Sequence, residues 1–113
     1  MKKVEAIIRP ERAVAVKDAL AEAGFNGLNM IQVSGRGVQR GIVHTGRGGQ
    51  AIPVDMLPKV KIELVVADES VEKVVDIIIE WSRTGAVGDG KIFIQPVLDA
   101  VRVRTGERGD KVL

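Results

Sequence analysis

The chain has 113 residues, 45% of them hydrophobic, which is the length of one domain with enough apolar material for a core. Seventeen basic and 15 acidic side chains leave a net charge of +2, against a general polyanion binder, and the absence of cysteine with a single histidine excludes disulfides, thiolate chemistry and a histidine-built zinc site. No tyrosine, two phenylalanines and one tryptophan are too few rings for a single-stranded nucleic-acid platform, and no apolar run approaches about 18 residues, so a soluble cytoplasmic protein is expected.

Residues 3–9 alternate, with Val4, Ala6 and Ile8 on one face, and predict a strand that Pro10 ends. Residues 11–23 predict a helix: Ala13, Val16, Leu20 and Ala23 form one stripe, and Gly24 stands where a helix stops. Residues 28–34 predict a second strand. Between Ser34 and Val54 there are six glycines, three arginines and no acid, and no hydrophobic period survives. Loops of that length inside a domain are usually functional or disordered. Residues 59–66 predict a third strand with Val60, Ile62, Leu64 and Val66 inward. Asp68 or Ser70 is placed to cap a helix over 70–82, whose stripe is Val71, Val74, Val75 and Ile78. Thr84 to Gly90 is a glycine-rich turn, and 91–97 predict a fourth strand that Pro96 marks as ending or lying on an edge. Val101–Arg104 alternate again and predict a short fifth strand before a polar end.

The order is strand–helix–strand, long loop, strand–helix–strand. That is an α+β, ferredoxin-like split βαβ arrangement in a single domain, with both helices on one face of an antiparallel sheet. The other face has no cover of its own. Ile7 and Val65 would lie exposed on it, so an oligomer is expected to bury it.

Three segments carry possible chemistry. Gly85–Lys91 (GAVGDGK) satisfies G-x-x-x-x-G-K, but Ile92 stands where a P-loop needs Ser or Thr for magnesium. The order is also helix–loop–strand, without a following helix N-terminus, so a P-loop NTPase is rejected. Gly88 and Gly90 still let backbone N–H groups approach an anion, with Lys91 adding charge, and a plain tight turn is the competing reading. Arg102 and Arg104 share a face if 101–104 is a strand, and they suit a polyphosphate or a charged edge equally. Gly35–Gly41 (GRGVQRG) misses the dinucleotide fingerprint by one residue and has no helix after it. No nucleophile or carboxylate stands beside His44 in sequence, and no catalytic constellation emerges.

Taken together, MKKVEAIIRP at the start, GRGVQRG at 35–41, LPKVKIE at 57–63, RTGAVGDGKIF at 83–93 and VRVRTGE at 101–107 resemble the PII signal-transduction family over essentially the whole chain. The resemblance implies a single domain, 1–113, forming a homotrimer, with a T-loop at 34–55, a B-loop at 83–91 and a C-terminal segment at 98–113. It implies a non-enzymatic sensor that binds ATP or ADP between subunits and, with Mg-ATP, 2-oxoglutarate. Matched residue by residue, the nucleotide would lie against Gly35, Arg36, Gly37, Val38, Gln39, Glu63, Gly88, Asp89, Gly90, Lys91, Arg102 and Arg104. The 2-oxoglutarate would lie against Arg9, Gln39, Arg40, Gly41 and Lys59. Gln39 would also hold the magnesium, an amide oxygen being a hard ligand.

Two departures stand out. Val38 occupies a position where the family often has a phosphate-contacting arginine, a loss to ATP binding of about 1–2 kcal/mol unless Arg36 or Arg40 substitutes. The T-loop has no tyrosine to modify and one extra residue before Asp55, so regulation is expected to rest on ligands alone. Arg47 at the loop tip suits a partner contact: an ammonium transporter, or an enzyme of nitrogen metabolism. The loop is also similar to the PII branch associated with nitrogenase, which makes direct control of nitrogenase an alternative. An adenylate-only sensor blind to 2-oxoglutarate is another.

Overall fold

The computed structural model describes residues 1–36, 43–45, 51–53 and 56–113. Four strands form one sheet: β1 (Lys2–Ile8), β2 (Asn29–Gly35), β5 (Leu57–Val66) and β6 (Gly90–Pro96), in the order β2-β5-β1-β6. The paired neighbours are all antiparallel. One crossover joins β1 to β2 over β5, and the other joins β5 to β6 over β1. Two crossovers of one hand place α1 (Ala13–Glu22) and α2 (Val71–Ser82) on the same face. This is the ferredoxin-like arrangement expected from the element order.

Register decides what the helices cover. Val4 lies opposite Leu64 and Ile94, Ala6 opposite Ile62 and Ile92, and Ile8 opposite Val60 and Gly90. Every second residue of β1 and β5 therefore enters the core, where it meets Ala13, Val16 and Leu20 of α1 and Val71, Val74 and Ile78 of α2. Each such aliphatic side chain contributes about 1.5–3 kcal/mol on burial. Ala23 and Val75, expected on the stripes, are half-buried at their margins.

The helix ends are local chemistry. Gly24 takes φ +95°, its N–H donates to Ala21 O (3.0 Å), and the Phe25 N–H donates to Leu20 O (2.8 Å). This paired closure needs the left-handed residue that glycine supplies. At the start of α2 the expectation is corrected. Neither Asp68 nor Ser70 gives a side-chain cap; both lie in a 3₁₀ turn that leads into the helix. The Asp68 carboxylate instead takes the Met1 ammonium at 2.9 Å and Lys2 Nζ at 3.0 Å. Those hydrogen bonds, the ammonium's first, hold its pKa below the ordinary value.

Three further expectations change. The segment after Ser34 contains regular structure: β3 (Val43–Thr45) pairs with β4 (Ala51–Pro53) in a separate two-stranded sheet. It lies off the main sheet and needs no core-facing alternation, which is why no period marks it. Residues 101–104 are not a strand. Val101 makes one isolated bridge to Arg108, and Gly106, at φ +74°, donates to Arg102 O at 2.7 Å. Arg102 and Arg104 thus sit in a turn and share no strand face. Finally, the helix-free sheet face is a mixed surface. Ile7 and Val65 are half-buried there, interleaved with ion pairs from Lys61 to Glu5 (3.5 Å) and from Lys3 to Glu63 (3.9 Å). Apolar exposure is confined to the outer strands, where Ile31 and Phe93 share that face.

Candidate functional site

The register of the sheet assembles the site. Because Ile8 pairs with both Val60 and Gly90, the residue after Ile8 and the residues before Val60 and Gly90 emerge side by side. They are Arg9, Lys59 and Asp89, from three distant parts of the chain.

Asp89 organises the turn before β6. Its carboxylate accepts from the Thr84 N–H (2.9 Å), the Gly85 N–H (2.8 Å), the Thr84 hydroxyl and Arg9 Nε (3.1 Å). These bonds, the Thr84 hydroxyl's foremost, hold its pKa far below the ordinary carboxylate value. The Thr84 oxygen also accepts the Ala86 N–H at 3.1 Å. Arg9 Nη2 donates to Val87 O at 2.7 Å, and Lys59 Nζ donates to Gly88 O. Burial, and next the Arg9 charge, pull the Lys59 ammonium below its usual 10.5; Glu11 and Asp89 partly offset them.

Two glycines make this packing possible. Gly90 has φ +103°, and a Cβ there would stand 1.8 Å from Ile7 O. Gly88 has φ +101°, and a Cβ there would come within 3.2 Å of Arg9 Nη2. The result is a backbone turn pressed against two cations, with Lys91 next on the open face, opposite Ile7. Gly35 pairs with Leu57, which brings Arg36 to the same end of the sheet.

The other predicted residues lie elsewhere. Glu63 is in the middle of the open face with Lys3. Arg102 and Arg104 follow β6, whose seven residues span about 20 Å. The chain leaves β6 at the sheet end opposite Gly88–Lys91, where the Val97 N–H donates to Met1 O (3.2 Å). Arg102 is held by Glu107 (Nη1 to Oε1, 2.9 Å) and by Lys111 O (3.4 Å). Gly37, Val38, Gln39, Arg40, Gly41 and Arg47 lie outside the described residues. Among the described residues there is no cluster of three or more metal-ligating His, Cys, Asp or Glu side chains, and no helix long and apolar enough to cross a membrane.

Thr84 was missed by sequence reasoning. The signal available was its spacing: a hydroxyl residue opening TGAVGD, with an acid five positions on, can close a turn through side chain–backbone bonds.

Residues 1–107 match the family model of nitrogen regulatory protein P-II. The chain is 54% identical over 110 residues to the nitrogen regulatory protein P-II of Cereibacter sphaeroides, with 97% of each chain covered. It is 50% identical over 113 residues to nitrogen regulatory protein P-II 2 of Methanothermobacter thermautotrophicus, covering all of this chain and 97% of the other. To the P-II protein of Rhodobacter capsulatus it is 50% identical over 110 residues, again with 97% of each covered. A likeness of this extent over the full domain settles the family: the chain belongs to the nitrogen regulatory proteins P-II.

Proposed function

We propose that this signal-transduction regulator binds ATP or ADP and, with Mg-ATP, 2-oxoglutarate, and passes the ligand state to a target protein through its 34–55 loop. It does so without catalysing a reaction of its own. The observation that carries this reading is the separation of its cations. The Gly88–Lys91 turn stands at one end of the sheet, and the chain leaves β6 for Arg102 and Arg104 at the other. In this reading the turn of one copy and the arginines of a neighbouring copy close around one polyphosphate. That supports a site shared between subunits of a homotrimer, with the mixed open face turned toward its neighbours.

Within such a site the backbone of 88–90 offers N–H groups to phosphate, and Lys91 and the arginines add charge. Asp89 has its acceptor capacity taken up by four donors, so it shapes the turn and does not ligate. The donor set fits magnesium only through nucleotide oxygens together with Gln39; when bound, the ion would neutralise phosphate charge. Lys59 is the described cation best placed for a dicarboxylate. It stands at the rim of a shallow concavity shared with Pro10, Gln32, Ser34 and Pro58. Arg47 is the proposed contact to the target. The targets proposed are an ammonium transporter or an enzyme of nitrogen metabolism, nitrogenase included, in the cytoplasm.

Calorimetric titration of 2-oxoglutarate, with and without Mg-ATP, tests the reading. Heat is expected only with Mg-ATP present. Binding of ATP without 2-oxoglutarate would make this an adenylate-only sensor, a reading that the Lys59 bond to Gly88 O favours. Binding of neither ligand would overturn the proposal.

A further inference from the structure

Arg9 was expected to face a dicarboxylate. Its guanidinium is turned instead onto the 84–90 turn, with Nε on Asp89 and Nη2 on Val87 O. Lys59 takes the carbonyl between them, that of Gly88. Three consecutive residues are thus each held by a cation anchored at the end of β1 or the start of β5. A trans peptide points its N–H opposite to its C=O, and the backbone has no cis bonds. Fixing the carbonyls of 87 and 88 toward Arg9 and Lys59 therefore directs the N–H groups of Gly88 and Asp89 away from those cations. Those N–H groups lie on the side of the turn opposite Arg9 and Lys59. The absent side chain at Gly88 keeps the guanidinium against the backbone, since a Cβ would meet Nη2 at 3.2 Å.

We propose that Arg9 is a positioning residue for the anion-receiving turn: with Lys59 it clamps two successive carbonyls and so aims the N–H groups of Gly88 and Asp89 at a nucleotide phosphate. The inference rests on the adenylate reading above. It assigns Arg9 to the nucleotide through the turn, and leaves Lys59 as the cation that a dicarboxylate must draw off Gly88 O.

The test uses the full chain with Arg9→Gln, Arg9→Lys, and Arg9→Gln combined with Asp89→Asn. Mg-ATP affinity is measured by calorimetry without 2-oxoglutarate, and amide exchange over 84–90 is followed in the ligand-free protein. Arg9→Gln is expected to weaken Mg-ATP about tenfold, the scale of a lost charged hydrogen bond. The same variant should speed exchange of the turn and leave the thermal midpoint in place. Arg9→Lys, which keeps charge without the fork, should fall between. Adding Asp89→Asn should speed turn exchange further, because that carboxylate also takes the Thr84 and Gly85 N–H groups, with a combined cost below the sum of the two single losses because they share the Arg9–Asp89 contact. Unchanged Mg-ATP affinity in Arg9→Gln, with loss confined to 2-oxoglutarate, would overturn the proposal. If the wild-type protein binds no adenylate, the reading of the site fails by itself, and turn exchange then judges the clamp: no change in Arg9→Gln sinks it.

Discussion

Gly90 shows how much one methyl group can decide. At φ +103°, with the Ile7 carbonyl 1.8 Å from where a Cβ would be, it is the hinge that lets the turn enter β6 beside β1. Gly90→Ala is expected to destabilise the fold by roughly 2–4 kcal/mol in denaturant unfolding, from strain and backbone displacement together. Asp89, one residue earlier, carries a pH dependence whose sign is fixed. Its folded pKa lies below the ordinary 3.8. The ordering it confers is therefore full above that value and is lost as pH falls through the lower, folded pKa. The backbone amide shifts of Thr84 and Gly85 should titrate with a midpoint below 3.8; a midpoint at or above it would show that the carboxylate is not held as described. The glycines and the acid of this turn were legible in the sequence. Their clamp was not, because Arg9 and Asp89 are 80 residues apart and only strand register joins them.

At the scale of elements, legibility followed the core. β1, β5 and both helices bury a continuous apolar stripe, and their patterns could be read directly. Where no core is served, pattern misleads or falls silent. The alternation of Val101–Arg104 imitates a strand, but the following Gly106 turns the chain back and only one bridge forms. The β3–β4 pair is regular without any apolar period. The same division predicts mutational cost. Ile62→Ala, at a fully buried position of β5, should cost about 2–5 kcal/mol. Val14→Ala, 60% exposed on α1, should stay within about 0.5 kcal/mol. Urea unfolding of the two variants checks the contrast, and equal losses would contradict the assigned helix face.

At the scale of the molecule, the sheet has two chemically distinct ends. Around the start of β6 stand Arg9, Lys59, Gly88 and Lys91; Arg102 and Arg104 follow its end in the chain. The sequence showed both groups but not the register that sets the turn and the exit of β6 at opposite ends of the sheet. In the proposed trimer each nucleotide would be held by the turn of one copy and the arginines of the next. Lys91→Ala and Arg102→Ala proteins should each bind ATP poorly. Assemblies refolded from a mixture of the two should regain binding, because an intact turn then meets intact arginines in one of the shared sites. Absence of recovery by calorimetry would place both groups in the same subunit's site. The consequence reaches inheritance. In the proposed trimer a lesion of this kind would not belong to the subunit that carries it: a defective allele would spoil sites built with healthy neighbours, while two alleles broken at opposite ends of β6 would rescue one another in the same cell.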